Sequence, residues 1–347
     1  MSFWKNAPKS QLRSGAKRSS FVTSRLPCLR TSCASSPVNI QKNDRLFSIV
    51  IPTYKRREAL SIALRSLACQ TVNSRCFEVI VVNNFPAIAV DDVVKEYSSV
   101  IDVISLVEPK CGAHSARNLG SRAARGRYLV FMDDDCEAHP SFLEKYHSAI
   151  RLHKPALAGG SIEIKWDHDP PSWVRPFEHL MGKTDRGGGC FWLEEDQMVY
   201  GGNLLVLRDF FLSVGGMDPD QFGKIILGSG DVGLNLSAIR QGHKLLWVGD
   251  AKVWHHQKRK VNAKIFDLMR REFNDGIMAA FELREKNNRL CTLERGPLSA
   301  RLFHAAVHQF LSGAPDLNKH ALANACLSMS KLIGLNWFYL YKSRMCT

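Results

Sequence analysis

Between residues 46 and 132 the chain alternates short β-branched apolar runs with stretches of helical period, and few folds accept that pattern. LFSIVI (46–51) precedes REALSIALRSLACQ (57–70), where Leu60, Ala63, Leu64 and Leu67 recur at helical spacing. FEVIVV (77–82), IDVISL (101–106) and RYLVFM (127–132) are further buried-strand runs, and HSARNLGSRAA (114–124) is a helix with small or apolar residues at 116, 119, 120 and 123. Units of this length predict an α/β fold: a mostly parallel central sheet with helices on both faces. In such sheets ligands gather beyond the carboxyl ends of the strands.

The last of these strands runs straight into FMDDDC (131–136). Asp133, Asp134 and Asp135 repel one another at neutral pH, so a cation is expected among them. The competing reading is a solvated acidic turn capping a helix near Pro140.

Farther on, Gly pairs and triplets at 159–160, 187–189, 201–202 and 215–216, together with WDHDPPSWVRPF (166–177), read as long loops on the substrate side. A helix over 231–241 leads into the strand KLLWVG (244–249). After His256 the texture is helical, over 263–286, 298–311 and 318–341, and there is no internal repeat.

Charge separates the first residues from the rest. Of a net +14, the first 43 residues supply eight positives (Lys5, Lys9, Arg13, Lys17, Arg18, Arg25, Arg30 and Lys42) and no acid. They read as a basic, Ser-rich, disordered extension. Their composition is also that of an organelle transit peptide, and equally that of a tail touching an anionic surface, so targeting by residues 1–43 stays open. Nucleic-acid binding is not expected, because the tail lacks interleaved aromatics and a recognition motif. No run of about 18 apolar residues predicts a spanning helix. The ten cysteines include no CxxC pair, which suits reduced thiols and a cytoplasmic setting, with peripheral membrane contact through the tail or the C-terminal helix left open.

Taken in order, FSIVIPTYKRREAL, FEVIVVNN, GAHSARNLGSRAARGRYLVFMDDD, GGNLLVLRDFFLSVGGMD and GSGDVGLNLSAIRQGHKLLWVGDAKVWHH resemble the motifs of the family 2 glycosyltransferases. The resemblance covers about 45 to 260. It implies a GT-A, Rossmann-like sheet and inverting transfer of a sugar from a nucleoside diphosphate to an acceptor hydroxyl. The domain division it suggests is 1–44 as extension, 45–260 as transferase domain and 261–347 as a helical C-terminal region.

The resemblance also assigns roles. Pro52, Thr53 and Tyr54 would cup the nucleotide; Asn83, standing where the family usually has an aspartate, would meet the base, its amide oxygen accepting from a uracil N3–H. Arg117 would engage phosphate or base oxygens. Asp133 would meet the ribose, while Asp135 and His255 would hold Mn²⁺ or Mg²⁺ under the diphosphate, with His256 as a substitute for its neighbour. Asp134, on the other side of an extended backbone, would turn into the protein.

Inversion requires a base for the acceptor hydroxyl, and Asp231 is the candidate, with helix N-capping as its structural alternative. It is the second member of the family's Glu-Asp pair; the first is Gly230 here, and an acid often found two residues on is Gly233. UDP is the favoured donor nucleotide, and a glycan or lipid-linked saccharide the expected acceptor. The rival function is a catalytically impaired relative that binds nucleotide sugar or glycan, supported by Gly230 and Asn83. Trp173 reads as a packing anchor. The segment 331–344 suits either core packing or a membrane interface.

Overall fold

The computed structural model describes residues 45–219, 221–222, 225–226, 229–287, 326–334 and 336. The predicted helix over 298–311, much of that over 318–341, and residues 1–44 lie outside them.

The alternation forms the first half of the domain: β1 (Phe47–Thr53), α1 (Arg57–Ala68), β2 (Phe77–Asn83), α2 (Asp91–Tyr97), β3 (Val103–Val107), α3 (Ala113–Ala123) and β4 (Tyr128–Met132). Then follow β5 (Cys136–Ala138), α4 (Phe142–His153), β6 (Leu157–Trp166), a 3-10 stretch (Ser172–Met181), β7 (Cys190–Trp192), β8 (Asn203–Leu207) and α5 (Arg208–Ser213). A small ribbon of β9 (Gln221–Phe222) and β10 (Ile225–Ile226) precedes α6 (Gly230–Arg240), β11 (Leu245–Gln257), α7 (Arg259–Asn262) and α8 (Ile265–Asn287).

Among the described residues the main sheet has nine strands in the order β3-β2-β1-β4-β8-β6-β11-β5, with β7 also on β11. The first four pair in parallel. β8 is antiparallel to both β4 and β6, so β6 runs with the first four, and β11 is parallel to β6. Only β8, β5 and β7 run the other way, and the sheet is mostly parallel as expected.

Side-chain alternation along the strands sorts the core into two layers. Ile49, Ile51, Val79 and Val81 face Leu60 and Leu64 of α1, Val93 of α2 and Phe142 and Tyr146 of α4. Val50, Ile80 and Val82 face the opposite layer, built from Ala116 of α3, Phe210 and Phe211 of α5 and Leu234 of α6. A third cluster joins Val174, Phe177 and Leu180 of the 3-10 stretch to Leu268 of α8 and Leu327, with Trp173 packed against it.

The glycine-rich region after 157 corrects the expectation of loops. Two central strands, β6 and β8, come from it. At Gly160, a Cβ would stand 2.0 Å from the Ala251 carbonyl oxygen and 2.7 Å from Asn203 Nδ2, so the glycine marks a close backbone approach inside a strand. Asn203 stitches this crossing: its Nδ2 donates to the carbonyls of Ser161 (3.0 Å) and Ala251 (2.7 Å), and its Oδ1 accepts from Tyr146 Oη (2.6 Å). There the register of β11 on β6 breaks between Val248 and Val253. The irregularity re-aims the second half of β11, which pairs with β5 and sets His255 opposite Cys136.

Candidate active site

The three aspartates follow β4 at the carboxyl edge of the parallel strands, and each meets a cationic side chain of the protein itself. Arg117, on α3 and 6% exposed, donates from Nη2 to Asp133 Oδ1 (2.5 Å) and to the Gly201 carbonyl (3.3 Å). Asp134 turns inward and is 4% exposed; it accepts from Thr53 Oγ1 (2.7 Å) and Arg56 Nη1 (3.1 Å). Asp135 accepts from the same Arg56 nitrogen (2.5 Å) through Oδ2, while its Oδ1 lies 3.1 Å from His255 Nε2. The cluster is a turn, closed by the Cys136 N–H on the Asp133 carbonyl (3.1 Å), but not a solvated one: Asp133 pairs with Arg117, Asp134 and Asp135 share Arg56, and Asp135 also meets His255.

The electrostatics follow from burial and neighbours. Burial, reinforced by the charges of Asp135 and Asp133, pushes Asp134 up to about 7 against the pull of Arg56 and Thr53. Burial acts the same way on Asp135, but the hydrogen bond and charge of His255, with Arg56, hold it at about 2. Burial would lower His255, yet Asp135 raises it above the ordinary histidine value.

An oxygen of Asp135 and a nitrogen of His255 are the donors that Mn²⁺ or Mg²⁺ accepts, so the pair fits a divalent cation. The Cys136 sulfur is also within 4.8 Å of both ligand atoms. Burial pushes that thiol well above its usual value, and a soft sulfur is a poor match for hard Mg²⁺ or Mn²⁺. His256 is engaged elsewhere: its Nε2 lies 2.8 Å from Glu137 Oε2.

At the ends of β1 and β2 a shallow aromatic mouth opens. Tyr54 is 44% exposed and meets Phe85 edge-on, centroids 5.2 Å apart, with Lys55 Nζ 3.9 Å from the Phe85 centroid. Pro52 and Thr53 are buried beneath it, Thr53 being spent on Asp134. Asn83 is buried at 3% exposure and shapes the next turn, its Nδ2 donating to the Ile88 carbonyl (2.8 Å) and its Oδ1 accepting from Phe85 N–H (3.0 Å). Asn84 ties the loop before α3 to this edge, donating to the carbonyls of Glu108 and Lys110 and accepting from Gly112 N–H.

Asp231 lies in the first turn of α6, where the helix dipole favours a carboxylate. Its Oδ2 accepts from the Gly201 N–H (2.7 Å), and Arg117 reaches the Gly201 carbonyl, so Asp231, Gly201, Arg117 and Asp133 form one connected chain. Asp231 is not the N-cap of α6; that position is Ser229. Beside it, Gly230 has φ +48°, and a Cβ there would fall 2.1–2.8 Å from three ring atoms of His114. The imidazole thus fills the space that any side chain at 230 would need. Burial, then the charge of Arg117, brings His114 down to about 4 despite Asp231, Asp133 and Asp218, which leaves it neutral at pH 7.

The structure thus brings these residues together in two sets, Asp231–Gly201–Arg117–Asp133 and Asp135–His255, joined through the Asp133–Asp135 turn, with Tyr54 exposed at the end of β1. Sequence reasoning missed Arg56 and His114. The demand of three aspartates for counter-charge pointed to a cation, and the KRR run at 55–57 was the available signal for Arg56; nothing local marks His114.

The glycosyltransferase AglE of Haloferax volcanii is 24% identical over 233 residues, 66% of this chain and 71% of that protein. The glucosyl-dolichyl phosphate glucuronosyltransferase of the same organism is 26% identical over 239 residues, covering 67% and 74%. Among solved structures, the mannosyltransferase PcManGT from Pyrobaculum calidifontis, in complex with GDP-Man and Mn²⁺, has a similar fold: TM-score 0.57 at 14% identity, over 88% of this chain and 91% of that one. The sequence model of Glycosyl transferase family 2 matches residues 48–214. Over that segment, a little under half of the chain, the sequence is similar to the glycosyl transferase family 2 pattern.

Proposed function

We propose that this glycosyltransferase moves a sugar, with inversion, from a nucleoside diphosphate sugar to a hydroxyl of a glycan or lipid-linked saccharide. The observation that carries the reading is the approach of Asp135 and His255 to 3.1 Å at the carboxyl edge of the sheet, beside the Arg117–Asp133 pair. A divalent cation held by Asp135 and His255 would supply neutralisation of the charge that develops on the departing diphosphate. Asp133 offers acceptor oxygens to the ribose, and Tyr54 with Phe85 offers aromatic surface to the base. UDP is favoured because the Asn83 carbonyl keeps a lone pair beyond its bond from Phe85, enough to accept from uracil N3–H. Asp231 takes the acceptor proton as the oxygen attacks the anomeric carbon from the face opposite the diphosphate. The lipid-linked acceptor draws support from the relative named for glucosyl-dolichyl phosphate.

Gly230 favours a second reading, a relative that binds nucleotide sugar without turnover, because His114 closes the space where an acid beside Asp231 would stand. Isothermal calorimetry of UDP with and without Mn²⁺, on wild type and Asp135→Ala, tests the site. Metal-dependent binding lost in the variant is the expected result; no binding of UDP, GDP or dTDP with metal present overturns the reading. Donor turnover that depends on Asp231 separates the enzyme from the binding module.

A further inference from the structure

Just past His255 the chain turns outward at a corner whose surface chemistry the transfer reaction does not use. The Gln257 carbonyl accepts from Asp167 N–H (3.0 Å) and Arg259 N–H donates to Asp167 Oδ1 (2.8 Å), which ties the corner to the end of β6. From 258 to 266 it reads KRKVNAKIF. Lys258, Arg259, Lys260 and Lys264 are exposed; among the described residues none of their charged groups forms an ion pair, and Asp167, the acid at the corner, meets Arg259 through its main-chain N–H. The nearest acid along the chain, Asp267, is taken by Arg270 (2.8 Å) and Arg271 (2.9 Å). Between these cations, Val261 is 56% exposed and Phe266 79%, the most exposed large hydrophobic side chain among the described residues.

Each part of this arrangement disfavours one alternative. An exposed phenylalanine gains nothing in water, and four unneutralised cations around it disfavour burial against an ordinary protein core. A membrane–water interface satisfies both: the rings and methyls enter the acyl boundary while Lys and Arg stems reach back to lipid phosphates. The anionic headgroups supply the charge the corner lacks. α8 starts at Ile265, and Leu268 anchors that helix in the third core cluster, so Phe266 is presented from a packed element.

We propose that residues 258–266 are a docking surface for an anionic lipid bilayer, holding the mouth of the site at the membrane. The segment is distinct from the basic N-terminal tail and the C-terminal helix. The purpose rests on the lipid-linked acceptor reading, but the contact itself is measured without donor or acceptor, so either idea can fail alone.

The test is co-sedimentation of the full chain with vesicles of phosphatidylcholine alone and of phosphatidylcholine mixed with phosphatidylserine. Wild type is expected to bind the mixed vesicles selectively and to release as salt is raised. K258E/R259E/K260E should weaken that partitioning at least about tenfold, from the loss of several headgroup attractions. V261S/F266S should weaken it at unchanged salt sensitivity, through apolar insertion alone. Because these side chains are exposed, the variants should keep the wild-type thermal midpoint; K258Q/K260Q serves as a milder second variant. Binding by both multiple variants equal to wild type overturns the proposal and moves any membrane contact elsewhere in the chain. Selective capture of a short RNA by the wild-type corner, with no vesicle binding, overturns it in favour of a nucleic-acid surface.

Discussion

Asp135, on the turn after β4, and His255, in the second half of β11, stand 3.1 Å apart because a break in the β6–β11 register turns β11 toward β5. His256, the next residue, points instead to Glu137 (2.8 Å). His255→Ala is therefore expected to raise the Mn²⁺ concentration needed for half-maximal UDP binding by about 10–100-fold, in the range typical of losing a group that ligates or orients a ligand. His256→Ala should leave it within about threefold, a change of less than ~0.7 kcal/mol. A titration in which the two variants trade places would reassign the ligand.

Arg117 is a buried guanidinium whose pairing with Asp133 also braces the Gly201 turn. Arg117→Met leaves Asp133 without its cation, and because the Asp133 side chain is 32% exposed the cost is discounted to about 2 kcal/mol. Arg117→Lys keeps charge but loses the fork, so urea midpoints should rank wild type, Lys, Met. Nucleotide affinity should follow the same order; equal midpoints for wild type and Met would count against the pairing.

Much of this site could be read from the sequence because its signals are local. A strand ending in three aspartates must present charge at one sheet edge; Asp134 does point inward as expected, though it is the turn from Asp133 to Cys136, and not strand alternation, that aims it. Arg56 was less legible: which of Lys55, Arg56 and Arg57 faces the acids depends on Lys55 adopting φ +61°, which sends Arg56 to Asp134 and Asp135 and Arg57 to Asp92. Gly160 was misread as a loop signal because its constraint, the Ala251 carbonyl, lies across the sheet. The fit of His114 over Gly230 depends on two segments meeting only in the fold, although Gly230 was itself conspicuous as a departure from the family pair.

His114 gives a pH dependence with a definite sign. Its folded value near 4 lies below the ordinary 6.5, so between those limits the unfolded chain binds the extra proton. Stability should therefore fall as pH drops through about 6.5 toward 4. His114→Gln lacks this titration, and should gain up to ~3 kcal/mol on wild type between pH 7.5 and pH 4. Urea unfolding of both proteins at the two pH values measures the difference; parallel pH profiles would place the imidazole in water.

Gly230→Ala meets two obstacles, a left-handed backbone and the His114 ring. The conformational strain is worth about 1 kcal/mol and the overlap about 1–3 kcal/mol. Adding His114→Ala removes only the second, so a double-mutant cycle should give a favourable coupling of about 1–2 kcal/mol. A coupling near zero would mean that the ring does not occupy the space above residue 230.

Asp231→Asn tests the chemistry with little disturbance of the structure. The amide oxygen can still accept from Gly201 N–H, the bond that the carboxylate makes now (2.7 Å), and the main-chain carbonyl still accepts from Asn235 Nδ2 (2.7 Å). What the amide cannot do is take a proton from an acceptor hydroxyl. Transfer should fall by about 10²–10⁴-fold, the usual contribution of a positioned base, while UDP affinity with Mn²⁺ stays near wild type. A loss carried by kcat at unchanged KM for the donor is the pattern of an interaction made only in the transition state. If transfer persists in the variant, the proton goes elsewhere, and His114, neutral at pH 7 and seated on Gly230, is the group to substitute next.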